Sequence, residues 1–513
     1  MPLSLRLAIV LGTIASVASA QTPCHAGVRE LSDPTARAQL AELAPHTSSS
    51  HDVMADGAGC TKDSLTVGDL RFPLRLIAPV VRLDYSNGVP DSRNDGEMWE
   101  GLGVNALVRV GFVFDQGIVH ATVAPDVWYA QNRTFNFFRD TSGSRSPFSS
   151  NWYLPPYSID LPTRFGASSV IGASLGQSSL WATVHDADIG ISNSSQAWGP
   201  GVRGQLLLSA DAPGIPRVFV RTNHPIDTRA GAWSGTAFVG TLTESPFFDN
   251  NPANDLRTLS AWTLNWSPTD SSSTVIGVAH ASMRTGSIFG GAGHKLTGPS
   301  DQMNSVYARV KAPDDGLRAW VEIARAGGLP GMHQFLTVPY QGIAYLVGAE
   351  RAAKFRGGTL LLTGEAADLE QPTDIRGQPT QDFYTSNDIP QGWTQRGQLL
   401  GDGIGPGANS QWVSLDWVTP TRSTGVFVER VRWNEDAFLR QYLPFLNRHD
   451  VTMRVGIRGG TVYRGQQITV ELSGGRRLNY LFQNGTYIPG LNTEDVTVTE
   501  LRVSLVPFEH RGQ

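Results

Sequence analysis

From about Leu76 to the C-terminus, apolar and polar residues alternate in runs separated by tight turns and long polar loops. Val451, Met453, Val455 and Ile457 alternate with Thr452, Arg454, Gly456 and Arg458. Ile468, Val470 and Leu472 alternate with Gln467, Thr469 and Glu471, and Leu317, Ala319, Val321 and Ile323 with Arg318, Trp320 and Glu322. A period of two puts every apolar side chain on one face of a strand. With many such strands and no helical domain to cover them, the natural solvent for that face is lipid. The pattern predicts an all-β fold, a transmembrane antiparallel β-barrel with apolar residues outward and polar residues in the lumen. Ala106, Val108, Val110, Phe112, Val451, Met453 and Val455 fall on the outward face. Asn105, Arg109, Arg454 and Arg458 fall on the inward face. The rival is a soluble sandwich or propeller, which needs a second sheet packed on those apolar faces.

Short turns are expected at 115–117, 177–179, 211–214, 268–270, 313–315, 420–422 and 459–460. Long loops are expected at 87–97, 133–164, 190–201, 283–302, 368–409, 434–449 and 475–495. Alternation of short and long links is the asymmetry of outer-membrane barrels, whose outer loops are the long ones. About nineteen strand candidates emerge, whereas single-chain bacterial barrels have an even number. The rhythm breaks at 216–257, so one candidate there, 216–222 or 233–242, is read as loop or plug, leaving about eighteen. Leu501, Val503 and Leu505 form the outward face of the closing strand.

The stretch before the barrel reads differently. Residues 1–20 have the form of a secretory signal: Arg6, a short apolar core over 7–17, then Ala18-Ser19-Ala20 before Gln21. Residues 21–70 read as a short, partly helical periplasmic segment, with Asp33 as N-cap and Pro34 in the first turn. The barrel takes 71–513. Cys24 and Cys60 are the two cysteines of the chain; in an oxidising periplasm they are expected to pair, the alternative being two thiols. No later stretch approaches a membrane helix. The formal charge of −5 lacks the basic face that a nucleic-acid partner requires.

Candidate chemistry is sparse. Gly172-Ala173-Ser174-Leu175-Gly176 fits a nucleophile elbow in letters, but no helix follows it, and that chemistry needs a strand-to-helix turn with acid and histidine partners. Gly401–Gly407 is rich in glycine yet has no helix behind it to hold a phosphate. The histidines show no metal-ligand spacing. No enzyme, metal or cofactor is expected. An esterase or lipase built on Ser174 stands as the enzymatic alternative, and a general diffusion porin as the structural one.

Three blocks are more distinctive: Asn94-Asp95-Gly96-Glu97-Met98-Trp99-Glu100-Gly101-Leu102-Gly103, Trp198-Gly199-Pro200-Gly201 with the following Gly204–Ser209 run, and Gln395–Asp402 running into Gly405-Pro406-Gly407. They are loop bends that set a tryptophan, an arginine and carboxylates beside strand ends. In this order, together with Ile159–Gly166 and Gly176-Gln177-Ser178, they resemble the Wzi family of capsule-assembly outer-membrane proteins, from about Pro79 through Ser504. The resemblance implies an eighteen-stranded barrel and a lectin-like, non-enzymatic role in holding capsular polysaccharide at the cell surface.

The basic residues are 37 arginines and four lysines. Guanidinium groups pair bidentately with carboxylate or phosphate, which suits an acidic surface polysaccharide. The candidate ligand-binding residues are Arg109, Arg203, Arg221, Arg396, Arg454 and Arg458, with Trp198 and Trp320 offering a face to a sugar ring. The competing reading is an internal ion-pair network with Glu322, Glu471 and Asp402 that fills the lumen. The expected surroundings are outer-membrane lipid and a monomeric state.

Overall fold

The computed structural model describes Gln21–Val28, Asp56–Thr61, Thr66–Val67 and Leu70–Arg71 by backbone, and then 74–507 except 91–95, 138, 140–142, 151–156, 269–273, 288–298, 313–314, 329–330, 374–381, 442–448, 465 and 483–494. The signal sequence over 1–20 and the helix expected after Asp33 lie outside the described residues. What is described of 21–71 is strand. Gln21–Val28 pairs with Asp56–Thr61, which touches the barrel through Cys60 opposite Ile77. On that backbone Cys24 lies opposite Ala58 and Cys60 opposite Thr22. The pairing of the cysteine side chains lies outside the described residues.

Eighteen antiparallel strands follow and close on themselves, Val496–Pro507 pairing with Leu74–Asn87. The wall runs through Gly103–Gln116, then 119–130, 170–184, Ala187–Ser192, Arg217–Thr222, Gly231–Thr243, Leu256–Ser267, Thr274–Thr285 and Ser300–Ala312. It continues through Leu317–Ala326, Ile343–Phe355, Gly358–Asp368, Asn409–Val418, Arg422–Trp433, Asp450–Tyr463 and Gln466–Leu478. The links at 117–118, 185–186, 223–230, 268–273, 313–316, 356–357, 419–421 and 464–465 share one end with both termini of the wall. The longer links leave the other, outer end.

The count agrees with the sequence reading, but for a different reason. Arg217–Thr222 and Gly231–Thr243 are both wall strands and pair with each other. The turn expected at 177–179 is no turn. Val170–Ser174 and Ser179–Val184 are one strand with a bulge, since Ser174 faces Asp126 whereas Ser179 faces Thr122. Four residues thus oppose three, and the extra one kinks the strand without reversing it. The partner strand is interrupted at Pro125, which has no N–H to give to the ladder. Gly459–Gly460 likewise lies inside Asp450–Tyr463, and 211–214 belongs to a loop that folds into the barrel.

Side chains obey the period-two assignment. Val110, Met453 and Val455 are 45, 56 and 56% exposed with no second sheet packed on them, which excludes the sandwich. Asn105, Arg454 and Arg458 are buried inside. Exposed aromatics sit at both ends of the apolar band: Tyr85, Tyr129 and Tyr345 near the outer rim, Phe355 and Tyr463 at the turn end. Such girdles match the two membrane interfaces. No helix among the described residues is long and apolar enough to cross a membrane; this chain crosses with strands.

Inside the wall, large rings are seated over glycines of the neighbouring strand. Trp128 faces Gly172, Tyr307 faces Gly277, Trp320 faces Gly348 and Phe427 faces Gly456. A Cβ on any of these four glycines would fall on the facing ring. Each inward aromatic therefore lies flat on a sheet that has been cleared for it. Gly348→Val is expected to destabilise the barrel by ~1–3 kcal/mol through overpacking. The check is the temperature at which the folded form converts on a gel. That loss should shrink in a Trp320→Leu background, and an equal loss in both backgrounds counts against the pairing.

Candidate functional site

The loop over 193–216 leaves the outer end of one strand and turns back into the lumen. A segment that does so takes backbone N–H groups away from water, and each needs a partner. Two wall carboxylates supply them. Glu365 accepts from the N–H groups of Val202 (2.6 Å) and Arg203 (2.7 Å), and from Trp320 Nε1 (2.9 Å). Glu322 accepts from the N–H of Leu206 (3.2 Å) and from Ser305 Oγ (2.8 Å). Close approach explains the glycines of the block: a side chain at Gly204 would collide with Asp402, and Gly199, at φ 133°, sits against Glu322.

With its amides held, the loop presents Leu206, Leu207 and Leu208 to a core that also contains Trp198, Trp393, Phe383, Tyr384 and Trp412. The 369–408 loop closes over it. Tyr384 Oη donates to Leu206 O (2.7 Å) and accepts from Asp402 N–H (2.8 Å). The glycine-rich 401–407 stretch is therefore packed on a tyrosine inside the barrel and cradles no anion.

The sequence-derived ligand residues divide into three groups. Trp198 and Trp320 are 2 and 3% exposed, so both belong to this core and present no open face. Arg203 lies in the inward loop, not on a strand. Its Nη2 is 3.2 Å from Glu429 and its guanidinium stands over Trp412. The strand arginines point inward, and each meets a carboxylate. Arg109 pairs bidentately with Asp126 (2.8 and 2.8 Å) and Arg458 with Asp416 (2.7 and 2.7 Å). Arg221 reaches Asp188 at 3.0 Å, and Arg454 joins Glu429 (2.5 Å) to Glu500 (3.0 Å). This is an internal network, but its carboxylates are chiefly Asp126, Asp188, Asp416 and Glu429. Of those expected, Glu322 serves loop amides and Ser305. Arg396 is different: it lies in the outer loops, with its side chain 40% exposed and 4.0 Å from Glu97.

Ser174 takes no part in an elbow. Its Oγ accepts from Gly176 N–H at the bulge (3.0 Å), and it hydrogen-bonds to Glu97. No group of three or more metal-ligating side chains occurs among the described residues.

Several outer loops are latched to one another at the mouth. Asp160 accepts from Ser245 N–H (2.7 Å) and Ser245 Oγ (2.5 Å), its own N–H donates to Gln391 O (2.9 Å), and Arg257 Nη1 donates to Gly392 O (2.7 Å). Gln391 Nε2 donates to Glu244 (2.5 Å). The hydrogen bond from Gln391 favours the Glu244 carboxylate, but burial outweighs it, and the nearby Asp160, Asp249 and Asp255 add to the rise. The carboxyl is pushed up to about 8 from an ordinary 4.5. Sequence reading missed this latch because its four segments are far apart in the chain.

A raised acid binds its proton more tightly folded than unfolded, so its contribution is full below about 4.5 and is lost as pH climbs to about 8. Protection of the 244–255 and 389–393 amides from hydrogen exchange should fall across that window. Glu244→Gln should flatten the dependence; an unchanged profile in that variant excludes Glu244 as its source. For the lumen network, Arg454→Ala removes one of two guanidinium partners from each of Glu429 and Glu500, which keep Arg203 and Arg502, and a loss of ~1.5–3 kcal/mol is expected. Lower heat resistance should be the main effect, and glycan retention by cells should fall only as the protein level falls.

No family model and no curated protein matches this sequence. Among solved structures, the chain is similar to Wzi of Escherichia coli, described as an outer-membrane protein involved in group 1 capsule assembly and a carbohydrate-binding β-barrel. The likeness covers 84% of this chain and 85% of that one, at 13% identity and a TM-score of 0.56. It is also similar to OpdK of Pseudomonas aeruginosa (83% of this chain, 96% of that one, 10% identity, TM-score 0.39) and to OccK2 of the same organism (85% and 98%, 11%, 0.42). At such identities a likeness speaks to fold, and the one to Wzi agrees with the resemblance read in the sequence. A closed eighteen-stranded wall with a bare apolar band and aromatic rims is the fold of a bacterial outer-membrane β-barrel, and the outer membrane is where this chain resides.

Proposed function

We propose that this barrel binds acidic surface polysaccharide, capsular or exopolysaccharide, and holds it at the cell surface as a monomer and without catalysis. The observation that carries the reading is the filled lumen. A diffusion channel needs a continuous watery path, whereas here the inward loop puts Leu206, Leu207 and Leu208 at 0–1% exposure in the middle of the wall. The lumen arginines that could have steered an anionic solute are taken up by carboxylates. What remains for a ligand is the outer mouth, where latched loops offer a firm surface. The name of the solved Wzi barrel, a carbohydrate binder in capsule assembly, points the same way.

An ester hydrolase on Ser174 has less support, since that hydroxyl is committed to the bulge and to Glu97, and no histidine hydrogen-bonds to it among the described residues. Two measurements test the reading. The purified barrel in planar bilayers is expected to show no steady ohmic conductance, and deletion of the gene should release polysaccharide from cells that carry it. A freely conducting pore with unchanged glycan retention would establish the porin alternative.

A further inference from the structure

The outer loops carry an aromatic run that the core covers only in part, Phe137 resting on the main core and Trp99 on the cluster of Met98, Leu107 and Trp128. Phe137 and Phe148 have ring centroids 6.0 Å apart, Phe148 and Phe247 6.1 Å, and Phe247 and Trp99 5.4 Å. Trp99 in turn stacks on Phe165 at 4.8 Å and 10°. These five rings come from three separate loops, 88–102, 131–169 and 244–255, and all are half-buried, with one part packed and one part in water. Gly166, at φ 83°, leaves room beneath Phe247 that a side chain would crowd. Trp99 is fixed by donating Nε1 to Arg396 O at 3.0 Å. The run is thus rigid, contiguous and outward of the membrane.

Acids and arginines both border it, and they differ in how far they are spent on each other. Arg139, exposed, stands over the Phe137 ring at 5.7 Å. Arg164 lies beneath and is 4% exposed; its guanidinium is satisfied by neutral acceptors, Asn132 Oδ1 (3.3 Å), Thr134 Oγ1 (3.3 Å), Asn132 O (2.6 Å) and Ala167 O (3.2 Å). Neither arginine has a carboxylate partner among the described residues. At the other end stands the half-exposed Arg396, with Glu97 only at 4.0 Å. Asp249, in the Phe247 loop, turns back to its own loop, accepting from Asn251 N–H (2.7 Å) and Asn254 Nδ2 (3.2 Å). In the lumen Arg109, Arg221, Arg454 and Arg458 are matched to acids. A run of rings that meet largely edge to face, with Arg139 free of described carboxylates at one end and the loosely paired Arg396 at the other, suits a ligand that is apolar on its faces and anionic at its edges.

We propose that this run is a binding track for a uronate-bearing polysaccharide chain. Sugar C–H groups rest on the exposed parts of Phe137, Phe148 and Phe247, with Trp99 and Phe165 stacked behind them, and carboxylates are drawn to Arg139 at one end and Arg396 at the other. The proposal rests on the glycan-binding reading above and assigns it a place. It moves the ligand from the lumen arginines to the loop surface. Arg164 contributes as a fixed positive charge under the track, and its burial prevents it from being quenched by solvent.

The test is calorimetric binding of a uronate hexasaccharide to the full chain in detergent, with a neutral maltohexaose and lipopolysaccharide as the other probes. The uronate oligomer should bind, should weaken markedly from about 0.05 to about 0.5 M salt, and should exceed the neutral one about tenfold or more, because charge-assisted bonds to the arginines are absent from the latter. Phe137→Ser with Arg139→Gln should lose about tenfold or more, whereas Arg284→Gln, an exposed arginine at the outer end of another strand, should retain full affinity. Arg139→Gln alone, at an exposed position, carries the test if the double variant fails to assemble. Full uronate binding by these variants overturns the track and leaves the function standing. Equal binding of the neutral sugar, or binding of lipopolysaccharide alone, overturns the uronate assignment. Failure of the wild-type chain to bind any of the sugars removes the track and the function together.

Discussion

The interior of this barrel depends on carboxylates that accept from backbone N–H groups. A loop that enters a lumen leaves water and brings unpaired amides with it, each a penalty on the order of 1–3 kcal/mol if left alone. Glu365 and Glu322 stand on the wall where the 202–206 backbone arrives and take those hydrogens. Without them the leucines at 206–208 have no stable way to reach the middle of the barrel. The packing of Trp198, Trp393 and Tyr384, and the seating of the 369–408 loop on Leu206, follow from that anchorage. The glycines at 199 and 204 serve the same end, letting the chain come within contact of Glu322 and Asp402, and Gly201 lets it fold tightly on the Gly204 carbonyl and Leu346.

Two kinds of electrostatics divide the molecule. In the lumen, several arginines are matched to acids: Arg109 with Asp126, Arg221 with Asp188, Arg458 with Asp416, Arg454 between Glu429 and Glu500. Buried pairs of this kind contribute little net stability, but loss of one partner is damaging, so they act more as fixed furniture than as receptors. At the mouth, arginines are held by neutral oxygens or stand on aromatic rings. Charge that is not already spent on an internal partner is the charge open to a ligand.

The wall was legible from the chain because strand alternation is a local property: Val110 and Arg109 differ in environment simply by being neighbours. The eighteen-strand count also came through, although the strand with the bulge was read as two, and 216–222 and 233–242, one of which was set aside as loop or plug, are both wall strands. One extra residue between Ser174 and Ser179 has no distinct letter signature; Gly176 and Ser178 suit a turn equally well. The lumen network was half legible. Inward arginines follow from the period, but which acid each one meets depends on the stagger of adjacent strands, and a shift of two residues changes the partner. The amide-holding role of Glu322 and Glu365 and the loop latch at Glu244 were invisible, since each joins segments that only the closed barrel brings together.

The inward loop also imposes an order on assembly. Val202 is 163 residues ahead of the glutamate that receives its N–H, and Arg203 is 226 residues ahead of Glu429. Its anchors therefore do not exist in space until the later strands have joined the wall, and contacts between such distant positions form slowly because a large loop must be closed first. Seating of this stopper thus waits on the strands that carry Glu322, Glu365 and Glu429, and until they are in place the three leucines at 206–208 have no apolar site to enter.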